Sequence, residues 1–134
     1  MRWTERAGVA ALAVMGLGAG MATTMAELRA LKAIEPGQWQ LRSRTDPAAA
    51  RSLCVADPTA LVQLRHPGMT CKRFIIADQP HMAVIQYSCR GSGYGRTMVS
   101  VETPRLVKLT TQGAGKAGPF DETFEARRTG ACPR

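Results

Sequence analysis

Four cysteines, Cys54, Cys71, Cys89 and Cys132, have the widest range of chemistry open to them in this 134-residue chain. A metal site asks for ligand pairs at short, regular intervals. No two of these cysteines are spaced as in C-x-x-C, and His66 and His81 do not complete a ligand set with them. Two disulfides are the expected state, and no metal or cofactor is implied. Paired sulfurs cannot attack, so a nucleophilic cysteine is set aside with the metal. Four cysteines allow three connectivities; the order along the chain favours Cys54–Cys71 and Cys89–Cys132. The first pair would clip a short helical insert to its flanking strands, and the second would tie the C-terminal tail to the sheet.

Other catalytic patterns are thin. Asp121, Glu122 and Glu125 form the one acidic cluster. On a strand Asp121 and Glu125 share a face while Glu122 points the other way, so no carboxylate pair is set up for acid–base work. A hydrolytic site built from His66 with Asp121 and Glu125 is the weakest reading, and Ser88, Ser92 and Ser100 carry no activating context. The Gly91–Gly95 segment (GSGYG) lacks the following helix and the spacing of a dinucleotide fingerprint. Gly115-Lys116 ends like a phosphate loop, but Thr110 stands where glycine is required and Ala117 where a magnesium-binding hydroxyl is. Both stretches read as hairpin loops. The chain is read as non-enzymatic.

The cysteines follow an N-terminal pattern that points to an oxidising compartment. Residues Ala7–Ala22 are uncharged, Arg2 and Arg6 precede them, and small residues recur near Ala22 and Ala26. Residues 1–26 are therefore expected to be a signal peptide cleaved after Ala22 or Ala26, with no transmembrane anchor after processing. Residues 27–134 then form a single disulfide-stapled β domain in the periplasm or outside the cell. The whole chain carries 18 basic and 10 acidic residues, a net charge of +8. The arginines are dispersed and are not interleaved with aromatics, which argues against nucleic acid and leaves anionic envelope lipid or lipopolysaccharide as the polyanionic partner.

The elements that must position these groups are mostly strands. Leu28, Leu31 and Ile34 suit a short helical lead-in before Pro36-Gly37. Trp39–Arg44 alternates apolar and polar residues, as does Arg51–Ala56 with Leu53 and Val55 on one face. Asp57 and Pro58 are placed to cap and start a short helix over Ala60–Arg65. Segments 81–89, 96–103, 105–111 and 120–128 read as strands pairing in sequence order. The fold class is mainly β: an antiparallel meander forming a curved sheet or partly open barrel, with one short helix and two disulfides.

The run Pro36-Gly37-Gln38-Trp39, the short helix after Cys54 and the cysteines that close a C-terminal sheet resemble the family called domain of unknown function 3617. The resemblance covers about residues 34–132. It implies a small exported protein of a Gram-negative bacterium and assigns no activity. The leading expectation is a non-catalytic module for binding or interaction, which holds a small apolar or amphipathic ligand between the sheet and the short helix. Trp39, Leu61, Leu64 and Tyr94 are its candidate contacts. Trp39, alternating with Leu41, equally suits a core anchor. The alternative is a basic structural or stress protein of the envelope that sits on anionic lipid.

Overall fold

The computed structural model describes residues 28–134. The expected signal peptide and its cleavage positions lie outside the described residues. A short helix, α1 (Arg29–Lys32), leads into β1 (Gly37–Ser43), a 3-10 turn (Pro47–Ala49) and β2 (Arg51–Val55). A second 3-10 turn (Pro58–Leu61) opens a long connection to β3 (Lys72–Asp78). Strands β4 (Met82–Cys89), β5 (Gly93–Thr103), β6 (Leu106–Gly115) and β7 (Gly118–Gly130) complete the chain.

All seven strands form one antiparallel sheet in the order β2-β1-β7-β6-β5-β4-β3. Strands β4 to β7 pair in sequence order, as expected; β3 pairs with β4 on one side of them and β1 adds to β7 on the other. Strands β2 and β3, consecutive in the chain, thus end up as the two edges of the sheet, which is not closed. The connection between them has to run from one edge to the other.

Alternation decides which face is covered. Trp39 and Leu41 on β1, Ile85 and Tyr87 on β4, Val99 on β5, Leu109 on β6 and Phe124 on β7 point inward and are buried. Gln40, Arg42, Gln86, Arg96, Lys108 and Glu125 alternate with them on the outer face. The inner face is capped by Leu28, Leu31 and Ile34 around α1 and by Leu61, Val62 and Leu64 from the β2–β3 connection. A four-residue helix is unstable alone. Here the burial of Ala30 and Leu31 holds α1, and Asp78 accepts the Arg29 backbone N–H at 3.0 Å.

Three local expectations are corrected. Asp57 caps its turn as expected, accepting the Thr59 N–H at 2.9 Å with Pro58 at the first position. The helix read over Ala60–Arg65, however, is only the 3-10 turn ending at Leu61. Four consecutive residues, Leu61–Leu64, are buried. The Val62 carbonyl, which a continuing helix would bond to the His66 N–H, accepts from Thr97 Oγ1 instead, and the His66 N–H turns to the Gln63 carbonyl.

The glycine-rich stretches are mostly strand. β5 begins at Gly93, β6 runs to Gly115, and β7 resumes at Gly118. A Cβ on Gly95 would overlap the Tyr87 phenol ring, and one on Gly113 would overlap the Tyr94 carbonyl oxygen. These glycines make room for close packing rather than for a loop.

The disulfides join Cys54 to Cys132 and Cys71 to Cys89, with Cα separations of 5.4 and 4.3 Å. The favoured pairs Cys54–Cys71 and Cys89–Cys132 are overturned by topology. They assumed that the connection returns to its starting edge, whereas it crosses to the other. Lys72 pairs with Ser88, which puts Cys71 opposite Cys89. Cys54 pairs with Gln38, which pairs with Gly130, so the tail carrying Cys132 passes beside it. Closing loops of 78 and 18 residues corresponds to about 4.5 and about 3 kcal/mol in the chain-entropy model.

Non-reducing peptide mapping is expected to recover Cys54 linked to Cys132 and Cys71 linked to Cys89; any other pairing contradicts this topology. Gly95→Ala is expected to lower stability by roughly 1–3 kcal/mol through overpacking against Tyr87, read as a shift in the urea midpoint.

Candidate functional site: a cleft at the open seam

The β2–β3 connection carries peptide groups across an apolar surface, and each must find a partner there. Thr97 supplies one: its Oγ1 donates to the Val62 carbonyl at 2.7 Å and lies 2.9 Å from Thr111 Oγ1, both hydroxyls being buried. Gln63, also buried, donates from Nε2 to the carbonyls of His66 (3.2 Å) and Met69 (3.1 Å).

His66 is turned inward. Its Nε2 lies 2.9 Å from the Ser92 carbonyl oxygen and its Nδ1 3.0 Å from the Tyr87 hydroxyl. A carbonyl only accepts, so Nε2 carries the proton and the Tyr87 O–H donates to Nδ1. Burial pushes the Tyr87 hydroxyl above the usual tyrosine range, and the nearby charge of Arg65 offsets part of that rise. Arg65 is held in turn by Glu122 at 3.1 Å and lies over the Phe120 ring.

Between edge β2 and the first residues of β3, the connection leaves a cleft of about 550 Å3. Leu53, Ala60, Leu64, Pro67 and Met69 give it an apolar lining, while Arg51 and Arg73 stand at it from the two edges. Arg73 Nε donates to Gln63 Oε1 at 2.8 Å, so the amide that braces the connection also orients a guanidinium. Arg51 lies over the Phe124 ring, 5.7 Å from its centroid. No carboxylate lines the cleft, and among the described residues neither arginine forms an ion pair. The volume falls in the range of small-molecule sites, and the guanidiniums give it positive potential.

The residues singled out from sequence are distributed unevenly around this cleft. Leu64 lines it. Leu61 and Trp39 are fully buried in the core, and the indole N–H of Trp39 donates to the Glu35 carbonyl at 3.0 Å. Tyr94 is exposed on the opposite, outer face, beside a shallow hollow with Gln86, Arg96, Gln112 and Asp121. The sheet separates His66 from Asp121 and Glu125, and both ring nitrogens of His66 are engaged inside the fold. Among the described residues no group of three or more histidine, cysteine or acidic side chains is placed to hold a metal. Arg51, Gln63, Met69 and Arg73 were not singled out. The only local signal was the basic pair Lys72-Arg73 beside an apolar run.

Comparison of the chain with protein-family models, curated proteins and solved structures finds no match in any of the three.

Tyr87→Phe leaves a buried Nδ1 without its donor and is expected to cost roughly 1–3 kcal/mol. It also removes a pH dependence. Because the folded-state pKa of Tyr87 is raised, the stability it contributes is intact below about pH 10, the unfolded tyrosine value, and is lost as pH rises through the folded value. Urea midpoints should therefore fall more steeply above pH 10 for the wild type than for Tyr87→Phe; parallel curves would contradict this account.

Proposed function

We propose that the chain is an exported, periplasmic or secreted, non-catalytic binding module. Its ligand is a small amphipathic anion, held in the seam cleft with the apolar body on Leu53, Leu64 and Met69. One carboxylate or phosphate would lie between Arg51 and Arg73. The observation that carries this reading is the pairing of an apolar lining with two guanidiniums and no carboxylate. Arginine presents a planar set of donors that matches oxyanions bidentately, and it keeps its charge when partly desolvated.

Two further features support it. The inner face of the sheet is filled by α1 and the β2–β3 connection, so a ligand is better accommodated at the seam than between sheet and helix. Two disulfides suit an oxidising compartment, and no helix of the described residues is long and apolar enough to cross a membrane. The family resemblance noted in the sequence is part of the same proposal.

Isothermal titration with decanoate and decyl phosphate below their micellar concentrations, and with decanol below its solubility limit, tests the reading. The two anions should bind the wild type, and the double variant Arg51→Gln/Arg73→Gln should bind them at least about tenfold more weakly, a loss of about 1.4 kcal/mol or more. Decanol should bind both proteins alike. Anion binding that is absent, or unchanged in the variant, rejects the cleft as the site.

A further inference from the structure

Six large apolar side chains are exposed among the described residues: Met69, Phe74, Ile75, Ile76, Tyr94 and Met98. Four of them fall between residues 69 and 76, at the start of the edge strand β3. Phe74 and Ile76 are each more than half exposed, at 57% and 52%. Natural edge strands usually carry charges, prolines or bulges that discourage association. β3 has the bulge, between Ile75 and Ala77, which interrupts its register and disfavours addition of a further strand. Pairing with another edge therefore does not account for the apolar side chains.

The charges beside them indicate what does. Lys72 and Arg73 sit inside the apolar run, and no acidic residue occurs from Met69 to Ala77. The first acid, Asp78, already accepts the Arg29 backbone N–H. Lys72 and Phe74, opposite Ser88 and Gln86, project from the outer side of this edge, and Arg73 and Ile75, opposite Tyr87 and Ile85, from its inner side. An edge that carries apolar side chains and a cation on each side complements the boundary of an anionic bilayer, where acyl chains lie just beneath phosphates. The strip also adjoins the cleft: Met69 and Arg73 belong to both.

We infer that Met69 and Phe74–Ile76, with Lys72 and Arg73, dock this protein on an anionic phospholipid bilayer. The docking stands on the strip alone. Its corollary, that docking turns the mouth of the cleft to the lipid from which an amphipathic anion enters, rests on the function proposed above.

The test is flotation of the full chain with vesicles of phosphatidylglycerol and phosphatidylethanolamine, against vesicles of phosphatidylcholine alone. The protein should float with the anionic vesicles only, and less so as salt rises. Phe74→Ser/Ile76→Ser should lower the partition coefficient about tenfold or more, through the apolar area no longer buried. Lys72→Gln should lower it by about fivefold, on the order of 1 kcal/mol per basic residue at such a surface. Both variants should keep the wild-type melting temperature and decyl phosphate affinity.

Equal flotation of wild type and both variants would assign binding to residues 1–27 or to the dispersed arginines and overturn the inference. So would equal binding to phosphatidylcholine, or no flotation with a strip-dependent dimer. Lost decyl phosphate binding in the Arg51→Gln/Arg73→Gln protein, with flotation lowered only by about the fivefold expected for one basic residue of the strip, supports both readings. Flotation by a wild type that binds no decyl phosphate rejects the cleft reading and keeps the docking.

Discussion

The fold turns on one piece of chain that has to cross the apolar face of its own sheet. Because β1 pairs with β7 and β3 starts the run β3 to β7, consecutive strands β2 and β3 are left at opposite edges. Residues 56–71 must bridge them, and the short path lies over the core. An irregular segment laid on hydrocarbon loses water from its peptide groups, each of which costs free energy unless it is paired. Thr97 and Gln63 pair its carbonyls, and the His66 ring, held between the Tyr87 hydroxyl and the Ser92 carbonyl, pins the segment to the sheet. They also explain why buried polar residues occur in a sheet that otherwise alternates cleanly.

Several other features follow from the same crossing. The segment fills the inner face with Leu61, Val62 and Leu64, so the curved sheet contains packed side chains where a wider barrel would enclose a chamber. Empty volume is displaced to the seam, where the edges do not meet and the connection only partly fills the gap. The disulfides sit at the two ends of the crossing, with Cys54 just before it and Cys71 at its close. Each anchors its end to the strand system on that side, so the connection cannot lift away without pulling on both edges. The surface ion pairs contribute much less: Glu35 with Arg105, although 2.9 Å apart, is largely exposed and screened.

Position at an edge also couples the two surfaces with functional potential. Arg73 is bound inward to Gln63, so the crossing segment and the cleft share one hydrogen-bonded amide. The next residues continue that edge: Phe74, opposite Gln86, lies on the open outer face, and Ile75, opposite Ile85, on the inner side where no further strand adjoins it. One topological fact, that β3 is an edge, thus produces both the arginine at the cleft and the apolar strip beside it.

Much of this molecule is local and was legible in the residues. Period-two alternation marks the strands, because burial of one face needs only near neighbours, and the pairing of β4 to β7 follows from short turns. Asp57-Pro58 announces a capped turn through side-chain chemistry confined to three residues. Leu28, Leu31 and Ile34 reach the core as their spacing implies. What the sequence by itself could not determine are the relations between residues far apart in the chain. It left open which edge the connection reaches, and so which cysteines meet. Gly95 and Gly113 looked like loop residues because the aromatic ring and carbonyl oxygen that exclude a Cβ belong to other strands. Arg51 and Arg73 line one cleft only because the sheet curves until its two edge strands, β2 and β3, face a common gap. Such a juxtaposition comes from the closure of the whole fold, and no local window of sequence contains it.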